Sequence, residues 1–124
     1  QSFGGLAALR CGIGRPDAFG LVFAQSSSLW LETPLPARGD EAPAGAPPAR
    51  AGRSGTGSQA GSAPRFRLEV GTREASILQA HRELAPKLAD TGARVELVEF
   101  AGGHDYACWR GGLLAGIGAM SVTA

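Results

Sequence analysis

Hydrophobic and polar positions change period along the chain in a way that marks six elements. Residues 2 to 14 are dominated by small and apolar side chains, among them Gly4, Gly5, Leu6, Ala7, Ala8, Leu9 and Ile13. That pattern predicts a helix packed closely on a sheet and covered on most sides, rather than a surface helix. Gly14, Arg15, Pro16 and Asp17 break it. The run Phe19 to Ala24 has the length and composition of an inner parallel strand, ended by the serine cluster Ser26, Ser27 and Ser28. Further on, Phe66, Leu68 and Val70 alternate with Arg67 and Glu69, a strand signature that Gly71 closes. Ile77, Leu78, His81, Leu84, Ala85 and Leu88 then fall on one face of a helix over Glu74 to about Thr91, in which Pro86 is expected to introduce a kink or an early end. Gly92 reads as its stop signal, and Val95, Leu97, Val98 and Phe100 make a third strand that ends at Gly102 and Gly103. Ala107 to about Met120 is Gly-rich but apolar enough for a terminal helix lying on the sheet.

The order helix, strand, gap, strand, helix, strand, helix implies an α/β fold with a mostly parallel sheet covered by helices. The gap is residues 34 to 64, which hold six of the eight prolines, six glycines and eight alanines, with Leu35 the one large aliphatic. Such a stretch buries too little apolar surface to offset its ordering entropy, so it is expected to be a disordered Pro/Gly/Ala-rich insertion. Residues 1–33 and 65–124 are then two parts of the same domain, and 34–64 joins them.

Charge and composition remove whole classes of function. Twelve Lys and Arg balance eleven Asp and Glu for a net charge of +1, which leaves no basic stripe for a nucleic acid. No run approaches the roughly 20 apolar residues of a membrane span. Two cysteines, Cys11 and Cys108, make no disulfide framework and no zinc-ligand spacing, and are expected to be reduced, buried thiols. No metal or cofactor is implied, and the protein is expected to be cytoplasmic. The chain opens on Gln1 directly at a Gly-rich turn, and so reads as a piece of a longer protein.

In such sheets reactive groups gather at the carboxyl ends of the strands. Gln1-Ser2-Phe3-Gly4-Gly5 has the form of the tail of a G-x-S-x-G nucleophile elbow, in which a sharp strand-to-helix turn exposes the serine hydroxyl. A serine needs a base within hydrogen-bond reach. His81 lies on the apolar stripe of a helix, where a packed histidine satisfied by a neighbour is the expectation. His104 follows a strand and two glycines, and is the better candidate. The third partner is a carboxylate that orients the imidazole and stabilises its charged form. In α/β-hydrolases the chain order is serine, acid, histidine, which favours Glu74, just after the second strand. Glu74 fits equally well as an acid that stabilises the first turn of a helix. Asp105, adjacent to His104, and Asp90, near a helix end, are weaker candidates. The Phe3 N–H is one oxyanion donor, and its partner is expected from a loop outside this sequence.

Four blocks together resemble the esterase family that includes enterochelin (ferric enterobactin) esterase. They are Gln1 to Leu9, Gln25 to Trp30, Phe66 to Glu74, and Gly102 to Leu113; the last, with Gly-Gly-His-Asp and Cys-Trp-Arg-Gly-Gly-Leu, is the most specific. The insertion, and Leu31 where a second Trp usually follows Trp30, depart from the family pattern. The resemblance implies the C-terminal part of an α/β-hydrolase, a cytoplasmic serine esterase that opens the ester bonds of a tri-catecholate siderophore to help release its iron. It implies Ser2 and His104 as catalytic, with Glu74 the candidate acid. Arg73, Trp109 and Arg110 flank the later catalytic positions; they read first as packing and surface charge, and as a second reading would suit an anionic ferric catecholate. The readings that compete are a feruloyl-type or other carboxylic esterase of the same fold, and an inactive remnant or binding module.

Overall fold

The computed structural model describes residues 1–30 and 63–122. The expected insertion 34–64 lies outside the described residues apart from Ala63 and Pro64. The elements are α1 (Ser2–Gly14), β1 (Leu21–Gln25), β2 (Arg65–Gly71), α2 (Ala75–Asp90), β3 (Arg94–Phe100) and α3 (Tyr106–Val122).

Among the described residues all strand pairing is parallel, in the order β1-β2-β3. Side chains alternate across a strand, so each strand offers one set to each face. Val22, Ala24, Phe66 and Leu68 meet Leu9 of α1 and Leu84 and Leu88 of α2 in one apolar core. Phe23, Gln25, Arg67 and Glu69 point the other way and are covered by α3. There Gly116 lies over the Phe23 ring, and Gly112 over Glu69 and Gln25. A Cβ at Gly12 would collide with the Val22 side chain, so the small residues of α1 are what allow it to lie flat on β1.

Three expectations fail locally, the first being that α1 is covered on most sides, since Phe3, Gly4, Ala7, Cys11 and Gly14 are exposed and only Gly5, Leu6, Leu9 and Gly12 are buried. Of the two outcomes expected at Pro86, the early end does not occur: α2 runs on to Asp90, close to the expected stop near Thr91. Pro86 and Arg82, the residue whose carbonyl loses its partner in the preceding turn, both lie on the exposed side of the helix. Nor are the cysteines buried, since Cys11 is exposed and Cys108 half-buried; both are free thiols. The α1 helix has several outward positions among its small residues, and Cys11 occupies one of them. Gly92 takes φ +87° just after α2, the left-handed conformation that a helix stop requires.

Candidate active site

The carboxyl ends of the three strands and the start of α1 converge on one place. Ser2 has φ +51°, which is uncommon for a residue with a Cβ and marks a tight turn held by its surroundings. Gln1 caps the helix through its carbonyl, which accepts the Gly5 N–H at 3.0 Å. After β2 the chain turns at Gly71, where the absence of a side chain leaves room for the Glu74 carboxylate and the Gly102 carbonyl. The loop after β3 is laced to that turn: Thr72 N–H donates to Phe100 O at 2.8 Å and Arg73 N–H to Gly102 O at 3.0 Å. His104 is thereby held beside Glu74.

Ser2 Oγ lies 3.0 Å from His104 Nε2, and His104 Nδ1 lies 2.6 Å from Glu74 Oε1. Beside a carboxylate, Nδ1 carries the proton of the neutral ring, so Nε2 accepts from the Ser2 hydroxyl. The Ser2 hydroxyl has one proton. Ser28 Oγ, 3.1 Å from Ser2 Oγ, must therefore be the donor in that contact.

Glu74 sits at the N-cap of α2, yet its carboxylate makes no capping bond to that helix. It turns into the site instead, where Oε2 accepts Gly71 N–H at 2.6 Å and Ser26 O–H at 2.7 Å. Asp105 takes the helix role, accepting Cys108 N–H at 2.9 Å at the start of α3. Hydrogen bonds from the Cys108 backbone and thiol hold its carboxyl below the usual range. Asp90 ends α2 on the exposed side, away from these groups. His81 is fully buried; its Nε2 accepts Ser27 N–H at 3.2 Å, and Nδ1 donates to Ile77 O at 2.8 Å. Both ring nitrogens are occupied within the fold.

A cleft of about 440 Å³ opens above Ser2, between Phe3 and Gly4 on one side and His104, Tyr106 and Trp109 on the other. The Phe3 N–H belongs to the first turn of α1, where amides have no earlier helical acceptor. Its ring is exposed and packs edge-on against Trp30. Trp109 is 4% exposed, with its ring edge-on to His104 at a centroid distance of 4.7 Å. Arg73 and Arg110 are exposed, and neither is among the described residues that line the cleft.

Sequence reasoning assigned no role to Ser26, Ser28 or Tyr106. Three consecutive small hydroxyl residues at a strand's carboxyl end were the available signal for the first two. Among the described residues no group of three or more His, Cys, Asp or Glu side chains is arranged to hold a metal ion.

A family described as "Putative esterase" matches residues 1–120. The iron(III) enterobactin esterase of Escherichia coli O6:H1 strain CFT073 is 38% identical over 117 residues, 94% of this chain and 27% of its own length. The iron(III) salmochelin esterase of the same strain is 33% identical over 133 residues, covering 97% of this chain and 29% of its own. A crystal structure of the enterobactin esterase FES from Shigella flexneri in the presence of enterobactin superposes with a TM-score of 0.65 at 31% identity, over 94% of this chain and 28% of that one. The chain thus spans less than a third of the length of these relatives. With the match running from the serine turn through the histidine loop and along most of α3, this chain belongs to that esterase family.

Proposed function

We propose that the protein is a serine esterase whose substrate is a catecholate siderophore, and that this chain supplies its nucleophile, base and acid. The observation that carries the reading is the continuous line from Ser2 Oγ to His104 Nε2 at 3.0 Å and from His104 Nδ1 to Glu74 Oε1 at 2.6 Å. Ser2 Oγ attacks the ester carbonyl carbon while its proton passes to His104 Nε2. The buried Glu74 carboxylate stabilises the imidazolium. Collapse of the tetrahedral intermediate breaks the ester C–O bond, and His104 returns the proton to the departing alkoxide. Water, deprotonated by His104, then attacks the acyl carbon and frees Ser2 and the acid. The Phe3 N–H is one donor to the intermediate's oxyanion.

The substrate class is supported by the enterobactin and salmochelin esterases among the relatives. Tyr106 and Trp109 give the cleft an aromatic wall of the kind that would take a catechol ring. Arg73 and Arg110, on the exposed flanks, would meet the charge of a substrate larger than the cleft. No described helix is long and apolar enough to cross a membrane; a cytoplasmic site of action fits the two free thiols. Residues 1–33 and 65–124 are read as one hydrolase domain interrupted by 34–64, which the parallel pairing of β1 with β2 supports.

Labelling of the intact protein with a fluorophosphonate tests the chemistry, because only an activated serine reacts readily. Wild-type protein is expected to label at Ser2, and Ser2→Ala to lose both the label and ester hydrolysis. Labelling that survives Ser2→Ala would end the reading. Hydrolysis of a catecholate trilactone, compared with short aryl and feruloyl esters, tests the substrate, and equal rates on all three would remove the siderophore assignment alone.

A further inference from the structure

We infer that Trp109 and Ser26 form a hydrogen-bond chain that fixes the Glu74 carboxylate, which makes both of them positioning residues of the Ser2–His104 site. The inference rests on the esterase reading above and deepens it, giving Trp109 a task separate from any contact with substrate.

The direction of every bond in the chain is set by chemistry. An indole Nε1–H can only donate, and it meets Ser26 Oγ at 2.9 Å. Ser26 therefore accepts from Trp109, and its single proton goes to Glu74 Oε2 at 2.7 Å. Gly71 N–H donates to the same oxygen at 2.6 Å. Oε2 is thus held by two donors from two separate strand ends, and Oε1 is left to His104 Nδ1. A carboxylate bound through one oxygen can rotate about its Cγ–Cδ bond. One anchored through both cannot turn without breaking three bonds.

Burial makes the arrangement consequential. Ser26 is 0% exposed, Trp109 4% and Glu74 7%, so water does not replace a lost donor cheaply. Ser26 also has φ +45°, a conformation rarely adopted by a residue with a Cβ, which holds its hydroxyl at the end of β1. The backbone is kept there by Ser26 N–H donating to Glu69 O at 2.7 Å. Trp109 touches the site a second time, its ring lying edge-on against His104. The titratable groups around Glu74 are His104 from the loop before α3, Asp105 beside it, and His81 from α2, whose ring feels the Glu74 charge. Neither Ser26 nor Trp109 titrates in the working range. An effect of either on a pH profile must therefore pass through a neighbouring titratable group, and the one that the Ser26 hydroxyl touches is Glu74, which in turn holds His104.

The test measures kcat and KM against pH for an activated aryl ester with the intact protein, comparing wild type with Ser26→Ala, Ser26→Gly, Trp109→Phe and the Ser26→Ala/Trp109→Phe pair. Ser26→Gly removes the hydroxyl from a backbone that glycine adopts freely, and Trp109→Phe removes only the indole donor while leaving a ring against His104. With fewer donors on Oε2, more of the carboxylate charge faces the imidazole and the imidazolium is favoured. The acid limb of kcat/KM is expected to move to higher pH in both Ser26 variants, and by less in Trp109→Phe. Loss of kcat is expected to be roughly tenfold for the Ser26 variants, with KM little changed. Because Trp109 acts through Ser26, the double variant should be no worse than Ser26→Ala alone. Unmoved acid limbs, or effects that multiply in the double variant, overturn the inference. Fluorophosphonate labelling of the wild type separates the two levels. If Ser2 labels and these variants behave as wild type, only the positioning role falls, whereas no label in the wild type removes the esterase reading and this inference together.

Discussion

The two faces of the sheet are built on opposite principles. Toward α1 and α2 the strands present Val22, Ala24, Phe66 and Leu68, which pack with Leu9, Leu84 and Leu88 as an apolar core. Toward α3 the middle of the sheet is polar although buried. Gln25 is 2% exposed and Glu69 2%, and Arg67 is 9%. These groups form one line: Gln1 Nε2 donates to Gln25 Oε1 at 3.1 Å, Gln25 Nε2 to Glu69 Oε2 at 2.9 Å, Arg67 Nε to Glu69 Oε1 at 2.9 Å and Arg67 Nη1 to Glu96 Oε2 at 2.7 Å. Burial alone lowers the Arg67 pKa, but the bonds to Glu69 and Glu96 outweigh it and raise the value. Gln25 Nε2 also reaches the carbonyl of Trp109, and the line ends at the residue before Ser2. Apolar contacts stabilise without caring much about angle, whereas buried hydrogen bonds fix direction and are costly when broken. One face holds the domain together; the other ties Gln1, the residue before Ser2, and the backbone of Trp109 to the sheet.

The largest effect on stability is therefore expected from the apolar face. Leu68 is 0% exposed at the centre of the middle strand, and Leu68→Ala should cost about 2–5 kcal/mol in the free energy of unfolding. Urea titration of the intact protein checks the loss. The fluorophosphonate reaction rate of the fraction still folded should match wild type, and a rate that fell with stability would erase the distinction between the faces. Glu69→Gln should do the reverse. It keeps the volume and removes the charge that Arg67 and Gln25 share, for a smaller stability loss of about 1–3 kcal/mol. Labelling of Ser2 should slow more than it does in Leu68→Ala, because Gln25 then holds Gln1 less firmly. An unchanged labelling rate would confine the polar line to a structural role.

Much of the apolar face was legible in the sequence, because its periods of two and 3.6 residues are written in single side chains. Phe66, Leu68 and Val70 announced β2, and Leu78, Leu84 and Leu88 announced α2. The polar face was not. Arg67 and Glu69 give β2 the alternation of a half-buried strand, yet every residue of β2 after Arg65 is buried, and nothing local says that Gly112 will bring α3 down on Glu69. Ser2, Glu74 and His104 were candidates from the elbow-like start, the Gly-Gly-His loop and the chain order serine, acid, histidine, and the fold brings these three side chains within hydrogen-bond reach of one another. The same reasoning could not tell which of two readings of Glu74 applied, since both place an acid at the start of α2. What separates them is the turn of a carboxylate away from its own helix and toward Ser26, and that depends on a φ of +45° that a run of three serines does not encode.

His81 is the polar exception on the apolar side, and its effect on stability should be the smallest and the most conditional. Its ring is fully buried on α2 with Nε2 as acceptor for Ser27 N–H and Nδ1 as donor to Ile77 O. Burial holds its pKa below the ordinary 6.5, against the opposing influence of the Ile77 carbonyl and the Glu74 charge. The folded protein thus keeps this ring neutral at a pH where the unfolded chain binds a proton. Its contribution is intact above 6.5 and is lost as pH falls from there through the lowered folded value. Protonation would also turn Nε2 from acceptor to donor and set it against the Ser27 amide, one residue from Ser26 and Ser28. Denaturant midpoints of wild type and His81→Leu measured between neutral and acid pH should converge or cross as the pH drops below 6.5, the variant losing less. Parallel curves over that range would mean that His81 is protonated in the fold, and that the apolar face carries a charge this packing does not accommodate.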